Sequence, residues 1–197
     1  MTTANAPKDA DRRVWLTTTA VAGGAGLTAT AVPFVASMAP SERARAIGAP
    51  AGLDVQGMKD GELRIVEWRG QPVFVLRRSP EMLESLQRHD DLLADPQSSR
   101  SIQPAYARNA ERSSRPEYGV MIGICTHLGC IPTFRPTPGA ADIGAGWPGG
   151  FYCPCHGSKF DLAGRVFKNV PAPTNLVVPP YDFVTETRLL IGVDPKA

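Results

Sequence analysis

All four cysteines of this 197-residue chain fall within residues 125–156, and two of its three histidines fall there with them. They form two short runs. The first is Cys125-Thr126-His127-Leu128-Gly129-Cys130; the second, 22 residues later, is Cys153-Pro154-Cys155-His156-Gly157-Ser158. A clustered, even set of cysteines in a short chain means a disulfide framework or a metal site, and the histidines favour metal. Zinc held by two thiolates and two imidazoles is an ordinary tetrahedral site. Zinc sites, however, usually pair cysteine with cysteine in one arm and histidine with histidine in the other. Here each arm offers one cysteine and one histidine. That suits a dinuclear iron–sulfur centre with both thiolates on one iron and both imidazoles on the other. A zinc-stabilised binding module stays open as the rival.

The elements that must position these residues read mostly as strands. Residues 63–68 (LRIVEW) and 73–77 (VFVLR) are β-rich runs joined by the hairpin signal Arg69-Gly70-Gln71-Pro72. Ser79 followed by Pro80 and Glu81 opens a helix, whose Met82, Leu83 and Leu86 form an apolar stripe. His89 falls among charges on this helix and reads as solvated. Residues 94–117 are polar and loop-like. Residues 119–124 (GVMIGI) form a buried strand that delivers the chain into Cys125, and residues 176–178, 182–185 and 189–193 supply further strands. The expected fold is an all-β domain of antiparallel sheets with one helix and a loop-built cluster-binding subdomain over residues 120–173. Loop 131–150, with Trp147 among glycines, has no assigned role.

Residues 14–41 carry no charge. A helix needs about 20 apolar residues to cross the hydrocarbon core, so residues 14–38 are long enough for a transmembrane anchor. Arg12-Arg13 stand directly before this stretch, as in a twin-arginine export signal. That route exports folded proteins, and a metal cluster is best assembled in the reducing cytosol first. A cleaved signal is the alternative, with Ala36-Ser37-Met38-Ala39 the nearest cleavage motif. The organisation expected is a cytoplasmic amino end (1–13), the anchor (14–38), an Ala-, Pro- and Gly-rich linker (39–57) and a periplasmic domain (58–197). The basic residues Lys8, Arg12 and Arg13 before the anchor, against Arg43 and Arg45 after it, agree with this orientation. A net charge of +2, with no basic run interleaved with aromatics, argues against a nucleic-acid partner.

The two runs match the Rieske motif at every defining position. Over roughly residues 10–190 the chain resembles the iron–sulfur subunit of bacterial quinol–cytochrome c oxidoreductases (the cytochrome bc complex, respiratory complex III). The resemblance implies one 2Fe-2S cluster, with Cys125 and Cys153 on the buried iron and His127 and His156 on the outer one. It implies a disulfide between Cys130 and Cys155, and a hydroxyl on Ser158 that bonds a cluster sulfide and raises the potential. Where many relatives have a tyrosine, this chain has Phe160, which should lower the potential. Asn169-Val170-Pro171-Ala172-Pro173 resembles the loop that shields the cluster, and Leu128 with Gly129 resembles the docking tip. Neutral imidazole ligands lift the potential into a range of about −150 to +300 mV. They also expose a ring nitrogen whose hold on its proton depends on the charge of the iron. The resemblance makes His156, with His127 beside it, the group that takes a proton from quinol. It implies a cytochrome b subunit and a cytochrome c-type subunit as partners, surrounding membrane lipid, a dimeric complex in the bacterial inner membrane and a working hinge in the linker. The small subunit of an exported arsenite oxidase, or the counterpart in a photosynthetic cytochrome complex, is the alternative.

Overall fold

The computed structural model describes residues 6–42, 44 and 48–195, in two compact units that divide after Ala46. Residues 1–5 of the amino end, together with Arg43, Arg45 and the rest of 45–47 in the expected linker, lie outside the described residues.

The first unit is a helix, α1 (Ala6–Ser37). Its Asp9–Ser37 portion has a mean hydropathy of 1.4 and is long and apolar enough to cross a membrane. Threonines make this helix less greasy than most spans. Thr17, Thr18, Thr19, Thr28 and Thr30, however, each donate the side-chain hydroxyl to a carbonyl one turn back, so none exposes a free donor.

The second unit contains three antiparallel three-stranded sheets. In the first, β2 (Leu63–Trp68), β3 (Gln71–Arg77) and β4 (Tyr118–Ile122) follow one another, with Trp68 paired to Gln71. The two residues between β2 and β3, Arg69 and Gly70, both have positive φ (53° and 72°), the conformation that matches strand twist in a tight hairpin. Strand β3 is buried on both faces. Val73 and Val75 enter one core with Trp68, Tyr181 and Ile191, while Phe74 and Leu76 enter another with Phe151, Phe160 and Leu176. Two-faced burial explains why β3 reads as a continuous apolar run.

The second sheet joins the ends of the domain. β1 (Ala51–Asp54) pairs with β9 (Arg188–Ile191), which pairs with β8 (Tyr181–Phe183). β1 lies inside the segment expected to be linker, so folded structure starts at Ala51 and the linker is shorter. A four-residue strand that owes its order to a partner 130-odd residues away leaves no local signal. The strand expected at 176–178 does not form as a ladder. Its backbone bonds go three ways, from Leu176 N to Gly164 O, from Ile122 N to Val177 O and from Val178 N to Ile102 O.

Helix α2 (Pro80–Leu86) starts as expected, with Ser79 Oγ accepting from Met82 N. It stops before His89, which caps a 3-10 turn (Asp90–Leu92). His89 is therefore not solvated. It is 6% exposed, stacks on Phe167 (5.9 Å between centroids) and points Nε2 at Asp161 Oδ2, 3.5 Å away. The cluster-binding subdomain, expected to be built of loops, carries the third sheet: β5 (Thr133–Arg135), β6 (Gly150–Cys153) and β7 (Ser158–Phe160).

Candidate metal centre

Both cysteine–histidine runs fold into turns closed by the same bond. Gly129 N donates to Cys125 O (3.0 Å), and Gly157 N donates to Cys153 O (2.9 Å). The two glycines have φ of +84° and +76°, a region closed to most residues with a Cβ. The first turn follows β4 after a short extended stretch. The second is the hairpin loop between β6 and β7, where Cys153 pairs with Ser158.

The disulfide implied by the resemblance is present. Cys130 and Cys155 are bonded, with Cα atoms 6.7 Å apart, and join the two turns. Their sulfurs lie within 4.8 Å of that of Cys153, but the disulfide removes them as thiolate ligands. Cys125 and Cys153 remain free and buried. Burial pushes the Cys153 thiol up, and Cys125 lies within hydrogen-bonding reach of it, while the backbone N–H groups of Cys155 and His156 point at the Cys153 sulfur. Those N–H groups stabilise negative charge on the sulfur. The rings of His127 and His156 lie 4.7 Å apart and perpendicular. His156 is exposed and His127 half-buried. Thiols inside and imidazoles outside form a donor set that fits a 2Fe-2S group with sulfur ligands on its buried end.

A third loop completes the site. Pro171 and Pro173 are exposed, while Ala172 turns inward and donates its N–H to Ser158 Oγ (3.1 Å). Ser158 is fully buried, and because this bond is one it accepts, its own proton stays free to donate. Thr126 Oγ1 donates to Thr174 O (2.7 Å), tying the first turn to the end of the same loop. Phe160 is fully buried in the core that also holds Cys125 and Cys153. Leu128 is 71% exposed at the tip of the first turn, with Gly129 beside it. Loop 131–150 is a braced structure. Trp147 is buried, donates Nε1–H to Arg135 O (3.0 Å) and packs on Phe167, while Arg135 pairs with Asp142.

Sequence reasoning missed the buried polar groups behind the site. Asp161 and Arg165 pair at 2.7 Å with both side chains fully buried. Burial alone pushes the Asp161 carboxyl up, but the nearby His89 ring and the bonds from Arg165 outweigh it and hold the group below its usual value. Asp95 binds Ser99, Arg100 and Ser101 in the stretch read as loop. Only the four-residue spacing of Asp161 and Arg165 could have hinted at the pair.

The fold and the paired turns are those of a Rieske protein. The Rieske [2Fe-2S] domain family matches residues 52–182, two thirds of the chain, and the chain belongs to this family. It carries a Rieske-type 2Fe-2S cluster. Among its relatives, the ubiquinol–cytochrome c reductase iron-sulfur subunit of Allochromatium vinosum is 57% identical over 183 residues, covering 93% of this chain and 88% of the relative. The subunit of the same name from Blastochloris viridis is 41% identical over 186 residues (93% and 94%), and that of Bradyrhizobium diazoefficiens 37% over 194 (98% and 100%).

Proposed function

We propose that this chain is the one-electron carrier of a quinol–cytochrome c oxidoreductase, the complex for which its relatives are named. Cys125, Cys153, His127 and His156 hold the cluster, the sulfurs toward the core and the imidazoles toward solvent. When bound, the cluster takes up and gives up one electron at a time. The observation that carries the reading is the exposure of His156 at the tip, next to the apolar, exposed Leu128. An exposed imidazole can accept a hydrogen bond and then a proton from a quinol hydroxyl. Leu128, Gly129, Pro171 and Pro173 offer an uncharged face that can enter a quinol pocket on a cytochrome b subunit and exclude water from the transfer. Ser158 and the N–H groups around Cys153 favour added negative charge. The Cys130–Cys155 bond keeps both turns in register around the ligands.

α1 anchors the chain in the bacterial inner membrane, in contact with lipid, with its amino end in the cytoplasm and the folded unit in the periplasm. The disulfide supports that side, because such bonds persist in oxidising compartments. The segment from Ala39 to the start of β1 acts as the hinge that lets the domain deliver its electron to the haem of a cytochrome c-type subunit, in a dimeric complex. Purification of the native complex tests the assignment. Copurification with a multi-span cytochrome b and a membrane-bound cytochrome c is expected, and copurification with an arsenite-oxidising large subunit overturns it. Rigid prolines inserted at residues 39–42 should slow haem reduction without changing the cluster's spectrum; unchanged turnover refutes the hinge.

A further inference from the structure

Burying a guanidinium is costly unless a carboxylate or a full set of hydrogen bonds replaces the lost water. This domain buries three: Arg78, Arg112 and Arg165. Arg165 is paired, with Asp161 and Asp90 each at 2.7 Å. Arg78 and Arg112 are bound by neutral groups. Arg78 donates to Leu162 O (3.1 Å), Pro116 O (2.9 Å) and Ser113 Oγ (3.4 Å). Arg112 donates to Ala163 O (3.2 Å), Gly164 O (3.4 Å) and Gln103 Oε1 (3.2 Å). Among the described residues, Arg78 Nη2 and Arg112 Nε have no hydrogen-bond partner. Burial lowers the pKa of each, but only to about 10, so both are cations at neutral pH. Among the described residues, neither Arg78 nor Arg112 has a carboxylate oxygen within ion-pair distance, whereas Arg165 has two; Asp161 reaches both, and Asp95 reaches Arg112, only through longer-range attraction.

That charge borders the apolar core that holds Cys125 and Cys153. Arg78 and Arg112 clamp three successive carbonyls, 162–164, and Leu162 and Ala163 belong to the same apolar core as Cys125 and Cys153. A Cβ on Gly119 would fall 2.5 Å from Arg78 Nη2, so the strand leading to Cys125 packs directly on that guanidinium. A Cβ on Gly164 would lie 3.0 Å from Met121 Sδ and 3.4 Å from Arg112 Nη1, and Met121 is a member of that core as well.

We propose that Arg78 and Arg112 are fixed internal charges that raise the reduction potential of the cluster. Reduction adds one negative charge to the site. Cations embedded in an apolar core lower the energy of the reduced form more than that of the oxidised form, and mobile salt screens them little. The role is electrostatic: neither side chain is among the ligands.

Redox titration of the full-length, cluster-loaded protein, read by the paramagnetic signal of the reduced form at pH 7, tests this. In Arg78→Met and Arg112→Met, the reduced-to-oxidised ratio at a fixed ambient potential should fall several-fold, with the signal's shape unchanged. Arg78→Lys and Arg112→Lys should keep most of the wild-type ratio. Gln103→Glu separates charge from packing. It sets a carboxylate beside Arg112 without removing the bond, so thermal stability should hold or rise while the ratio falls. The exposed Arg88→Met should leave the ratio alone. An unchanged ratio in Gln103→Glu, with Arg78→Met also unchanged or unfolded, overturns the proposal. A fall that persists in 1 M salt supports it.

Discussion

Replacing Ser158 with alanine should move two measurable quantities, and the structure separates them. The hydroxyl is fully buried opposite Cys153 on the β6–β7 hairpin and accepts from Ala172 N, which leaves its own proton to give to a cluster sulfide. A hydrogen bond to a charged group is worth about 1.5–3 kcal/mol. Only the part gained on reduction affects the potential, and half of that range is about 0.75–1.5 kcal/mol. For a one-electron couple, at about 59 mV per tenfold change, the potential should fall by about 30–65 mV. The second quantity is stability. Ala172 N–H, on a residue 4% exposed, loses its acceptor, and a stranded buried donor costs about 1–3 kcal/mol. Redox titration and thermal melting of Ser158→Ala and Ser158→Thr check both. The threonine variant should restore most of the potential. A lowered melting temperature with an unmoved potential in the alanine variant would refute the hydroxyl–sulfide bond and leave Ser158 as a purely structural clip.

Other expectations follow from the same geometry. Phe160→Tyr places a hydroxyl in the core beside Cys125 and Cys153, and redox titration should show a rise; no rise sinks the idea that Phe160 lowers the potential. Cys155→Ser opens a loop with a sequence separation of 25, at a cost of about 3 kcal/mol, and should speed cluster loss, followed by bleaching of the visible spectrum. Gly157→Ala meets nothing closer than Tyr152 Oη at 3.7 Å, so its cost is backbone strain at φ +76°, about 1–2 kcal/mol, read as lower cluster occupancy. Because the Asp161 carboxyl is held low in the folded state, its stabilisation is complete above the ordinary value of 3.8 and is lost as pH falls through the lower folded value. Asp161→Asn should flatten that acid limb in melts between pH 5 and 2. It should also be less stable at pH 7, because the buried Arg165 is left with the half-exposed Asp90 as its one carboxylate partner among the described residues.

Much of the centre was legible because it is local. Ligand spacing, the paired turns, the capped start of α2 and the hairpin at Arg69-Gly70 each depend on residues within a few positions of one another. What went unread depends on distant partners. β1 is ordered by β9, from the opposite end of the domain. His89 is buried because α2 ends at Leu86 and the following turn carries the ring onto Phe167. The third sheet is written in three- and four-residue strands too short to show a period.

The sequence by itself determined the proposed donor set, because the order and spacing of Cys125, His127, Cys153 and His156 survive any fold that keeps each turn intact. It also determined an uncharged helix long enough for a membrane. Only the tertiary structure decided which side of each turn faces water, burying the two thiols and leaving His156 and Leu128 outside. It alone buried Arg78 and Arg112 against carbonyls of the core that also holds Cys125 and Cys153. Burial and charge proximity are properties of chain segments meeting across 35 residues or more, from Arg78 to Ser113 and on to Leu162, and no local pattern records such a meeting.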